Sequence, residues 1–161
     1  MIIIIMGVSG SGKSTIGKML AESLHWEFTD ADAFHSSENI NKMSSGIPLD
    51  DSDRIPWLQD LQRAIAAWLQ VNKNIVLACS ALKASYRQFL VLDEERIKLV
   101  YLRGSLEVIT QRLQNRQNHF MSEKLLQSQF DALQEPENAI CVDVCEAPQV
   151  IVQHLREALG I

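Results

Sequence analysis

The sequence predicts an α/β fold, in which residues 1–161 form one domain around a parallel sheet of five strands with helices on both faces. Three observations lead to this prediction. Short apolar runs rich in β-branched residues alternate with longer stretches whose apolar residues recur at helical spacing. The runs show little alternation with polar residues, so the strands are expected to be buried on both faces. The first run also leads through a glycine-rich turn directly into a helix, as in a right-handed β-α-β crossover.

The expected strands are short, and every interval between them is long enough to hold a helix. In chain order they comprise residues 1–6, 26–30, 74–79, 97–102 and 139–144. Parallel neighbours in a sheet need a crossover connection of about a dozen residues or more, and each interval exceeds that length. The spacing therefore favours a parallel sheet.

Capping residues and apolar spacing predict the helices of the first half. One helix begins near Gly12, and a short helix followed by a loop is expected between Ser36 and Asp53. A long helix then begins at residues 51–53 and carries Pro56 in its first turns. Its apolar residues form one stripe that is expected to face the core, namely Trp57, Leu58, Leu61, Ile65, Trp68 and Leu69.

The second half of the chain contains further helix signals. A helix through Tyr86 follows the third strand. Ser105 and Ser122 are expected to cap two helices, because a serine oxygen accepts a bond from a free N–H group of the first turn. Pro148 opens the last helix and Gly160 suits its C-terminal cap. Helices therefore separate all the predicted strands.

The glycine-rich turn after the first strand matches the phosphate-binding pattern Gly-x-x-x-x-Gly-Lys-Ser residue for residue. Glycines allow backbone N–H groups to curl around phosphate oxygens, and the next helix aims its N-terminal dipole at the same anion. Lys13 adds a charge for the β- and γ-phosphates, and the Ser14 hydroxyl is suited to Mg²⁺. The sequence thus predicts a nucleoside triphosphate site formed by Gly7, Val8, Ser9, Gly10, Ser11, Gly12, Lys13, Ser14 and Thr15.

Asp30 and Asp32 stand at the end of the second predicted strand, where parallel sheets carry functional residues. Two carboxylates at this place can divide two tasks: one faces Mg²⁺ and its waters, and the other faces a hydroxyl that must lose a proton. The alternative is a pair of helix-capping aspartates. The phosphate-binding turn upstream favours the functional interpretation. The third strand ends in Cys79 and Ser80 instead of the aspartate common there, so Asp30 and Asp32 are the nearest candidates for an acid.

Several cations leave two interpretations open. Ser80, Lys83 and Arg87 either hold a ligand or represent a capping serine and two solvated cations on the next helix. Arg54 lies beside acidic residues, so it is either part of a solvated ion pair or a substrate-binding arginine.

A polar segment near residues 112–124 is expected to form a short lid. Arg112 and Arg116 are placed to close over phosphates and exclude water. The alternative is a pair of surface arginines four residues apart on a helix. His119 lies in the same segment, although a lone histidine is more often packed or exposed than catalytic.

Composition excludes several functional classes. The net charge is −5 and no run of Lys or Arg occurs, which argues against nucleic acid as a partner. No stretch has the length of a membrane span and no secretory signal is recognisable, so a cytoplasmic protein is expected. Cys79, Cys141 and Cys145 lie in apolar stretches and are expected to be reduced core thiols. The Cys141/Cys145 spacing has no second Cys/His pair nearby, which disfavours a metal site there.

Seven sequence blocks together resemble the bacterial gluconokinase family, and they span essentially the whole chain. They are Gly7–Ser14, Asp30-x-Asp32-x-x-His35, Asn39-x-x-Lys42-Met43-x-x-Gly46-x-Pro48-Leu49, Asp51-x-Asp53-Arg54-x-Pro56-Trp57-Leu58, Cys79-Ser80-Ala81-Leu82-Lys83-x-x-Tyr86-Arg87, Arg112-x-x-x-Arg116-x-x-His119-Phe120 and Gln129-Phe130-x-x-Leu133-Gln134-x-Pro136. The first block is shared by very many nucleotide-binding proteins. The Asp-Arg-x-Pro-Trp-Leu and Cys-Ser-Ala-Leu-Lys blocks are specific to this family.

The resemblance implies a three-layer P-loop kinase fold with a substrate-binding helical insertion at about residues 33–72 and a lid at about 112–124. It also implies ATP as phosphoryl donor, D-gluconate as acceptor, 6-phospho-D-gluconate as product, Mg²⁺ as cofactor and a homodimer. Lys13 is then expected to neutralise the phosphates, with Ser14 and Asp30 at the metal and Asp32 as the base. Carried over by position, the implied substrate-binding residues are Asp32, His35, Arg54, Ser80, Lys83, Arg87 and His119, and the implied nucleotide contacts of the lid are Arg112 and Arg116.

Other functions compete with this interpretation. Shikimate kinases and adenylylsulfate kinases also pair a P-loop with an Asp-x-Asp strand end, so another small-molecule kinase is the nearest alternative. A GTP-dependent switch protein would need guanine-reading motifs, but Asn72-Lys73-Asn74-Ile75 lacks the required acid and no Asp-x-x-Gly occurs. A kinase acting on nucleic-acid ends is disfavoured by the acidic charge balance.

Overall fold

A computed structural model describes residues 1–115 and 123–161. The elements follow one another as β1 (Ile2–Met6), α1 (Lys13–Leu24), β2 (Glu27–Asp30), a 3-10 helix (Ala31–Phe34), α2 (Ser37–Ser44), α3 (Asp51–Gln70), β3 (Ile75–Ala78), α4 (Ala84–Leu90), β4 (Ile97–Arg103), α5 (Leu106–Gln114), α6 (Glu123–Ala132), β5 (Ile140–Asp143) and α7 (Pro148–Leu159). Each predicted strand is therefore present within one or two residues of its expected bounds.

The strands form one parallel sheet in the order β2-β3-β1-β4-β5. β1 lies at the centre, where Ile2 stands beside Ile75 of β3 and Ile97 of β4. The chain passes to one side of β1 for β2 and β3 and to the other side for β4 and β5. This order brings the carboxyl ends of β1, β2 and β3 together at one edge, which is where ligands bind in open parallel sheets.

β1 is buried on both faces, as its apolar sequence predicts, and its five residues are all 0% exposed. Alternate residues point to opposite layers. Ile3 and Ile5 pack in the layer that contains buried residues of α1 and α7, whereas Ile2 and Ile4 pack in the layer of α3 and α4. Burying each of these side chains stabilises the fold by about 1.5–3 kcal/mol, so β1 is a rigid base for the loop that follows it.

The helix α1 lies very close to β2 because Gly17 has no side chain. A Cβ atom at this position would lie 2.5 Å from Cε2 of Phe28. The close packing fixes the start of α1 relative to the end of β2. At the other end of the chain, Gly160 adopts the left-handed conformation at the C-terminal cap of α7, as predicted.

The long helix α3 begins where predicted. Asp50 accepts a bond from the backbone N–H of Asp53 and the Asp53 carboxylate accepts from the N–H of Asp50, which is a complete capping box. Trp57 is buried, as are Leu58, Leu61 and Ile65. Trp68 and Leu69, further along the predicted stripe, are half-buried and pack against the same core layer.

The structure corrects one expectation about the cysteines. Cys79 is buried, and burial raises the pKa of its thiol to about 12. Cys141 and Cys145, however, are exposed. β5 is an edge strand, in which Val142 is buried and Cys141 points away from the core. The prediction of three core thiols is therefore wrong for these two residues.

Candidate active site

A cavity of about 540 Å³ opens at the carboxyl ends of β1, β2 and β3. Its walls come from the glycine-rich loop, the 3-10 helix, α2 and the start of α3, and its lining includes Lys13, Asp30, Asp32, His35 and Arg54. A larger hollow of about 820 Å³ lies near the amino-terminal ends of β4 and β5. The larger hollow contains none of the phosphate-binding loop. The smaller cavity is the candidate active site because it brings the predicted catalytic residues together.

The loop between β1 and α1 adopts the conformation that a phosphate cradle requires. Gly7, Gly10 and Gly12 have φ angles of 155°, 82° and 98°. A Cβ atom on Gly7 would lie 2.6 Å from Oγ of Ser11 and 3.0 Å from the carbonyl oxygen of Leu102, so only glycine fits. The loop is thus held open by backbone geometry.

Two loop side chains are placed for nucleotide binding. Lys13 donates a hydrogen bond from Nζ to the carbonyl oxygen of Val8 at 3.0 Å and lines the cavity. Thr15 also lines the cavity, whereas Val8 is buried in the core below the loop. The ammonium group of Lys13 therefore lies over the loop that would carry the phosphates.

Asp30 makes two contacts, one with the 3-10 helix and one with Ser14. Its Oδ1 accepts a bond from the backbone N–H of Asp32 at 2.9 Å and caps the 3-10 helix. Its Oδ2 accepts a bond from Oγ of Ser14 at 3.0 Å. A hydroxyl and a carboxylate oxygen at this distance are the hard donors that Mg²⁺ prefers, with its remaining ligands supplied by phosphate and water. In residues 1–115 and 123–161 there is no group of three or more His, Cys, Asp or Glu side chains that would hold a metal by itself.

The carboxylate of Asp32 faces the open part of the cavity, and 77% of its side-chain surface is reached by water. The cavity walls nevertheless remove part of its hydration, and this desolvation raises the pKa of Asp32. The charge of Asp30 raises this pKa further, while Lys13 opposes both effects. Asp32 is therefore a better proton acceptor than an ordinary surface aspartate.

His35 lies beside Asp32 in a fixed orientation. Its ring stacks on Trp57 with centroids 4.3 Å apart and an interplanar angle of 10°. Burial lowers the pKa of His35 to about 4, and the neighbouring charge of Arg54 lowers it as well. The imidazole is consequently neutral at physiological pH.

Arg54 and Ser80 complete the lining on the side of α3 and β3. Arg54 donates a hydrogen bond from Nη1 to Oη of Tyr86 at 3.2 Å, and Tyr86 in turn donates to Asp51. The backbone carbonyl of Ser80 accepts a bond from the N–H of Gly7 at 3.4 Å. Arg54 therefore lies at the cavity and is bonded to Tyr86, and its contact with substrate stays a prediction.

Lys83 and Arg87 do not line this cavity. Lys83 donates from Nζ to Oδ1 of Asp51 at 3.0 Å. Arg87 donates to three backbone carbonyls, those of Ala81, Leu82 and Gln134. Both cations support the loop after β3, and their expected contact with substrate stays a prediction.

The predicted lid is only partly within the described residues. Arg112 donates from Nη2 to the carbonyl oxygen of Val144, at the end of β5, and does not line the cavity. Arg116, His119 and the helix cap at Ser122 lie outside the described residues.

Known proteins resemble this chain over nearly its whole length. Residues 9–159 match the family model described as shikimate kinase. The gluconokinase of Arabidopsis thaliana is 45% identical over 174 residues, which cover 99% of this chain and 92% of that protein. The thermoresistant gluconokinase of Escherichia coli (strain K12) is 41% identical, with 98% of this chain and 93% of that protein covered. The chain belongs to the gluconokinase family.

A solved structure agrees with this assignment. The crystal structure of a gluconokinase from Sinorhizobium meliloti 1021 has a TM-score of 0.86 and 40% sequence identity, with 98% of this chain and 94% of that chain covered. The shikimate kinase of Aquifex aeolicus is 20% identical with a TM-score of 0.59, which shows a common fold. The predicted P-loop kinase fold and the resemblance to gluconokinases are therefore confirmed.

One residue of the cavity, Gln129, has a position that the sequence does not indicate. Gln129 of α6 lines the cavity, and its Oε1 accepts a hydrogen bond from the backbone N–H of Ser9 at 2.7 Å. The contact joins residues 120 positions apart in the chain. The Gln129-Phe130 block was the only sequence signal, and it says nothing about where the amide lies. Gln129 links the helix that follows residues 116–122 to the tip of the phosphate-binding loop.

We expect Gln129→Ala to raise the KM for ATP about fivefold, because one hydrogen bond that holds the loop tip is worth about 1 kcal/mol. The KM for the second substrate should change less. Gln127→Ala is the matched control, since Gln127 lies on the same helix and bonds to Asp131 away from the cavity. Steady-state kinetics with ATP varied would test this, and an unchanged KM for ATP would mean that the Gln129 contact does not order the loop.

Proposed function

We propose that the protein transfers the γ-phosphoryl group of ATP to the 6-hydroxyl of D-gluconate, giving 6-phospho-D-gluconate and ADP. The observation that carries this proposal is the meeting of Lys13, the Ser14–Asp30 pair and Asp32 in one cavity of a gluconokinase-family chain. The cavity thus offers a phosphate cradle and a proton acceptor side by side.

The nucleotide is proposed to bind along residues 7–15, with its phosphates on the backbone N–H groups of the loop. Lys13 supplies positive charge to the β- and γ-phosphates. Arg112 and Arg116 of the lid are proposed to add charge when residues 112–124 close over the site. The contact of Arg112 with Val144 would then have to be exchanged for one with the nucleotide.

Mg²⁺ fits the oxygen donors of Ser14 and Asp30. We propose that these two residues hold the ion directly or through its water shell, as the 3.0 Å Ser14–Asp30 contact allows. When bound, Mg²⁺ would neutralise part of the negative charge of the phosphates.

Asp32 is the proposed general base. Its carboxylate accepts the proton of the 6-hydroxyl while that oxygen forms a bond to the γ-phosphorus and the bond to the leaving oxygen of ADP breaks. Positioning and charge stabilisation supply most of the rate in such transfers. Asp32 is suited to this role because its carboxylate is accessible from the cavity and its pKa is raised.

The acceptor is proposed to lie against His35, Arg54 and Ser80. A carboxylate removed from water needs a cationic partner, and Arg54 is the proposed partner because it lines the cavity and is held by Tyr86. Lys83, Arg87 and His119 are also proposed to contact the substrate, as the family resemblance implies. Lys83 and Arg87 in addition hold the loop after β3 through their bonds to Asp51 and to the carbonyl oxygen of Gln134.

Three coarser properties complete the proposal. We propose that residues 1–161 form a single kinase domain in which residues 33–72 are the substrate-binding insertion. We propose a homodimer in the cytoplasm, as the family resemblance implies and as unpaired cysteines allow. No helix in the described part of the chain is long and apolar enough to cross a membrane.

The alternative is a kinase that acts on a different small molecule in place of D-gluconate, because the matching family model is described as shikimate kinase. Coupled ADP release with Mg-ATP separates the two. The panel contains D-gluconate, shikimate, adenylylsulfate, nucleoside monophosphates and no acceptor. We expect turnover with D-gluconate well above all the others. Turnover with a different acceptor would keep the P-loop chemistry and overturn the gluconate assignment.

A further inference from the structure

Asn39 is a buried polar residue next to the active-site cavity. Its side chain belongs to α2, and the residue is 6% exposed. Neither the expected catalytic chemistry nor the expected substrate contacts use it. A buried amide needs hydrogen-bond partners, and those of Asn39 fix its orientation.

The partners of Asn39 determine which side of the amide faces His35. Nδ2 donates to the backbone carbonyl oxygen of Asp53 at 2.9 Å. A carbonyl oxygen can only accept, so the NH₂ group and not the amide oxygen must point this way. The same Nδ2 lies 3.4 Å from Nδ1 of His35.

This contact defines the proton position on His35. An NH₂ group can only donate, so Nδ1 of the neutral ring must be the accepting nitrogen. The ring proton then resides on Nε2, which lies 3.9 Å from Oδ1 of Asp32 on the cavity side. Stacking on Trp57 holds the ring plane, and Trp57 is itself anchored by a 2.8 Å bond from Nε1 to the carbonyl oxygen of Ala31.

The frame around Asn39 is also fixed. Lys42, on the same helix, donates to Oδ1 of Asp53 at 2.9 Å and ties α2 to the start of α3. The capping box with Asp50 holds the Asp53 backbone in place. The residue whose carbonyl orients Asn39 is therefore held by contacts from both α2 and the residue that caps α3.

We propose that Asn39 is a positioning residue that holds His35 as the Nε2–H tautomer, so that His35 donates a hydrogen bond to an oxygen of the acceptor substrate beside Asp32. The inference rests on the proposed function for the identity of the acceptor, D-gluconate. With the opposite tautomer, the Nε2 lone pair would face the carboxylate of Asp32 and the hydroxyl oxygens of the acceptor. Asn39 thus acts through His35 on the group next to the base.

The tautomer can be measured directly by nitrogen NMR of the protein labelled with ¹⁵N-histidine. The chain has four histidines, and His35→Gln identifies the His35 signals by their loss. At neutral pH we expect the protonated nitrogen of His35 to be Nε2 and the unprotonated one to be Nδ1. A protonated Nδ1, or averaging of the two tautomers, would overturn the proposal. This measurement needs no substrate, so its outcome is independent of whether D-gluconate is the acceptor.

Asn39→Asp provides the second test, because a carboxylate at this position accepts a hydrogen bond from a protonated Nδ1 of His35. We expect the His35 proton to move to Nδ1 and kcat/KM for D-gluconate to fall about tenfold, as for one lost substrate hydrogen bond. Asn41→Asp is the control: it adds the same charge at an exposed position of α2 and should leave both the spectrum and the kinetics unchanged.

A purely structural role for Asn39 predicts a different result. Asn39→Asp would then lower thermal stability while the protonated nitrogen stayed on Nε2, and this would contradict the proposal. If Asn39→Asp does not fold, Asn39→Ala takes its place, with averaging between the tautomers as the expected result. An unchanged single tautomer in Asn39→Ala would equally contradict the proposal, and a protonated Nδ1 in the wild-type spectrum would contradict it even without a folded variant.

Discussion

Asp32→Asn is expected to lose most of its phosphoryl transfer while ATP binding is retained. The substitution keeps the size of the side chain and removes its ability to accept a proton. A positioned general base contributes about 100-fold to 10,000-fold to a rate, so kcat should fall within that range. Asp32 is not expected to bind the phosphates. Because the substitution removes a negative charge near Lys13, the Kd for ATP should stay unchanged or become slightly lower.

The measurements are kcat from gluconate-dependent ADP release and Kd for ATP from titration calorimetry. Asp60→Asn is the matched control, since Asp60 is an exposed carboxylate of α3 that pairs with Arg63 outside the cavity. Turnover of Asp32→Asn close to the wild-type value would eliminate Asp32 as the base.

The pH dependence provides a further readout of the same residue. The pKa of Asp32 is raised by desolvation and by Asp30. The base is active when deprotonated, so kcat/KM should fall as the pH drops through the raised pKa, at a pH above the ordinary aspartate value of about 3.9. The acid limb should be absent from the residual activity of Asp32→Asn.

Lys13→Ala is expected to weaken nucleotide binding and turnover together. Lys13 lies over the phosphate-binding loop, where its Nζ donates to the carbonyl oxygen of Val8. Its charge acts on the phosphates in the ground state and on the charge that develops during transfer. Loss of one such electrostatic contact costs about 100-fold to 1,000-fold in kcat, and the KM for ATP should rise as well.

Lys18→Ala removes the same charge from the same helix and serves as the control. Lys18 lies over the ring of Phe28, at 5.8 Å from its centroid, and takes no part in the cavity lining. Kinetics with ATP varied should therefore distinguish the two variants. Unchanged turnover of Lys13→Ala would overturn the assignment of the phosphate site itself.

The sequence predicts those parts of the fold and site that depend on local signals. The apolar run of β1 specifies a strand buried on both faces, and its burial follows from that pattern. The glycines of the loop are specified by positive φ angles and by the space around Gly7, which no other residue fits. The approach of Asp30 to Ser14 follows from the rule that carboxyl ends of parallel strands meet at one edge.

Other features depend on contacts that no local pattern reveals. The 3-10 helix at Ala31–Phe34 is not itself predicted, although the helix-capping interpretation of Asp30 anticipates its cap. Cys141 is exposed because β5 lies at the edge of the sheet. The order of the strands in the sheet determines that position, and the sequence of β5 does not reveal it.

The cationic residues show most clearly that a local sequence pattern does not reveal such contacts. Arg54 and Lys83 both stand near acidic residues in the sequence or the fold, yet only Arg54 lines the cavity. The contacts of Gln129 with Ser9 and of Asn39 with Asp53 join separate elements, and a single sequence gives no direct signal for either.

The identity of the product tests most directly the proposal that the protein phosphorylates D-gluconate at its 6-hydroxyl. Phosphorus NMR of the protein incubated with Mg-ATP and D-gluconate should show a new phosphomonoester, and a proton–phosphorus correlation should join it to the hydrogens on C6. This result would establish phosphorylation of the 6-hydroxyl. ATP consumption without a gluconate ester, or an ester at another carbon, would contradict the proposed function.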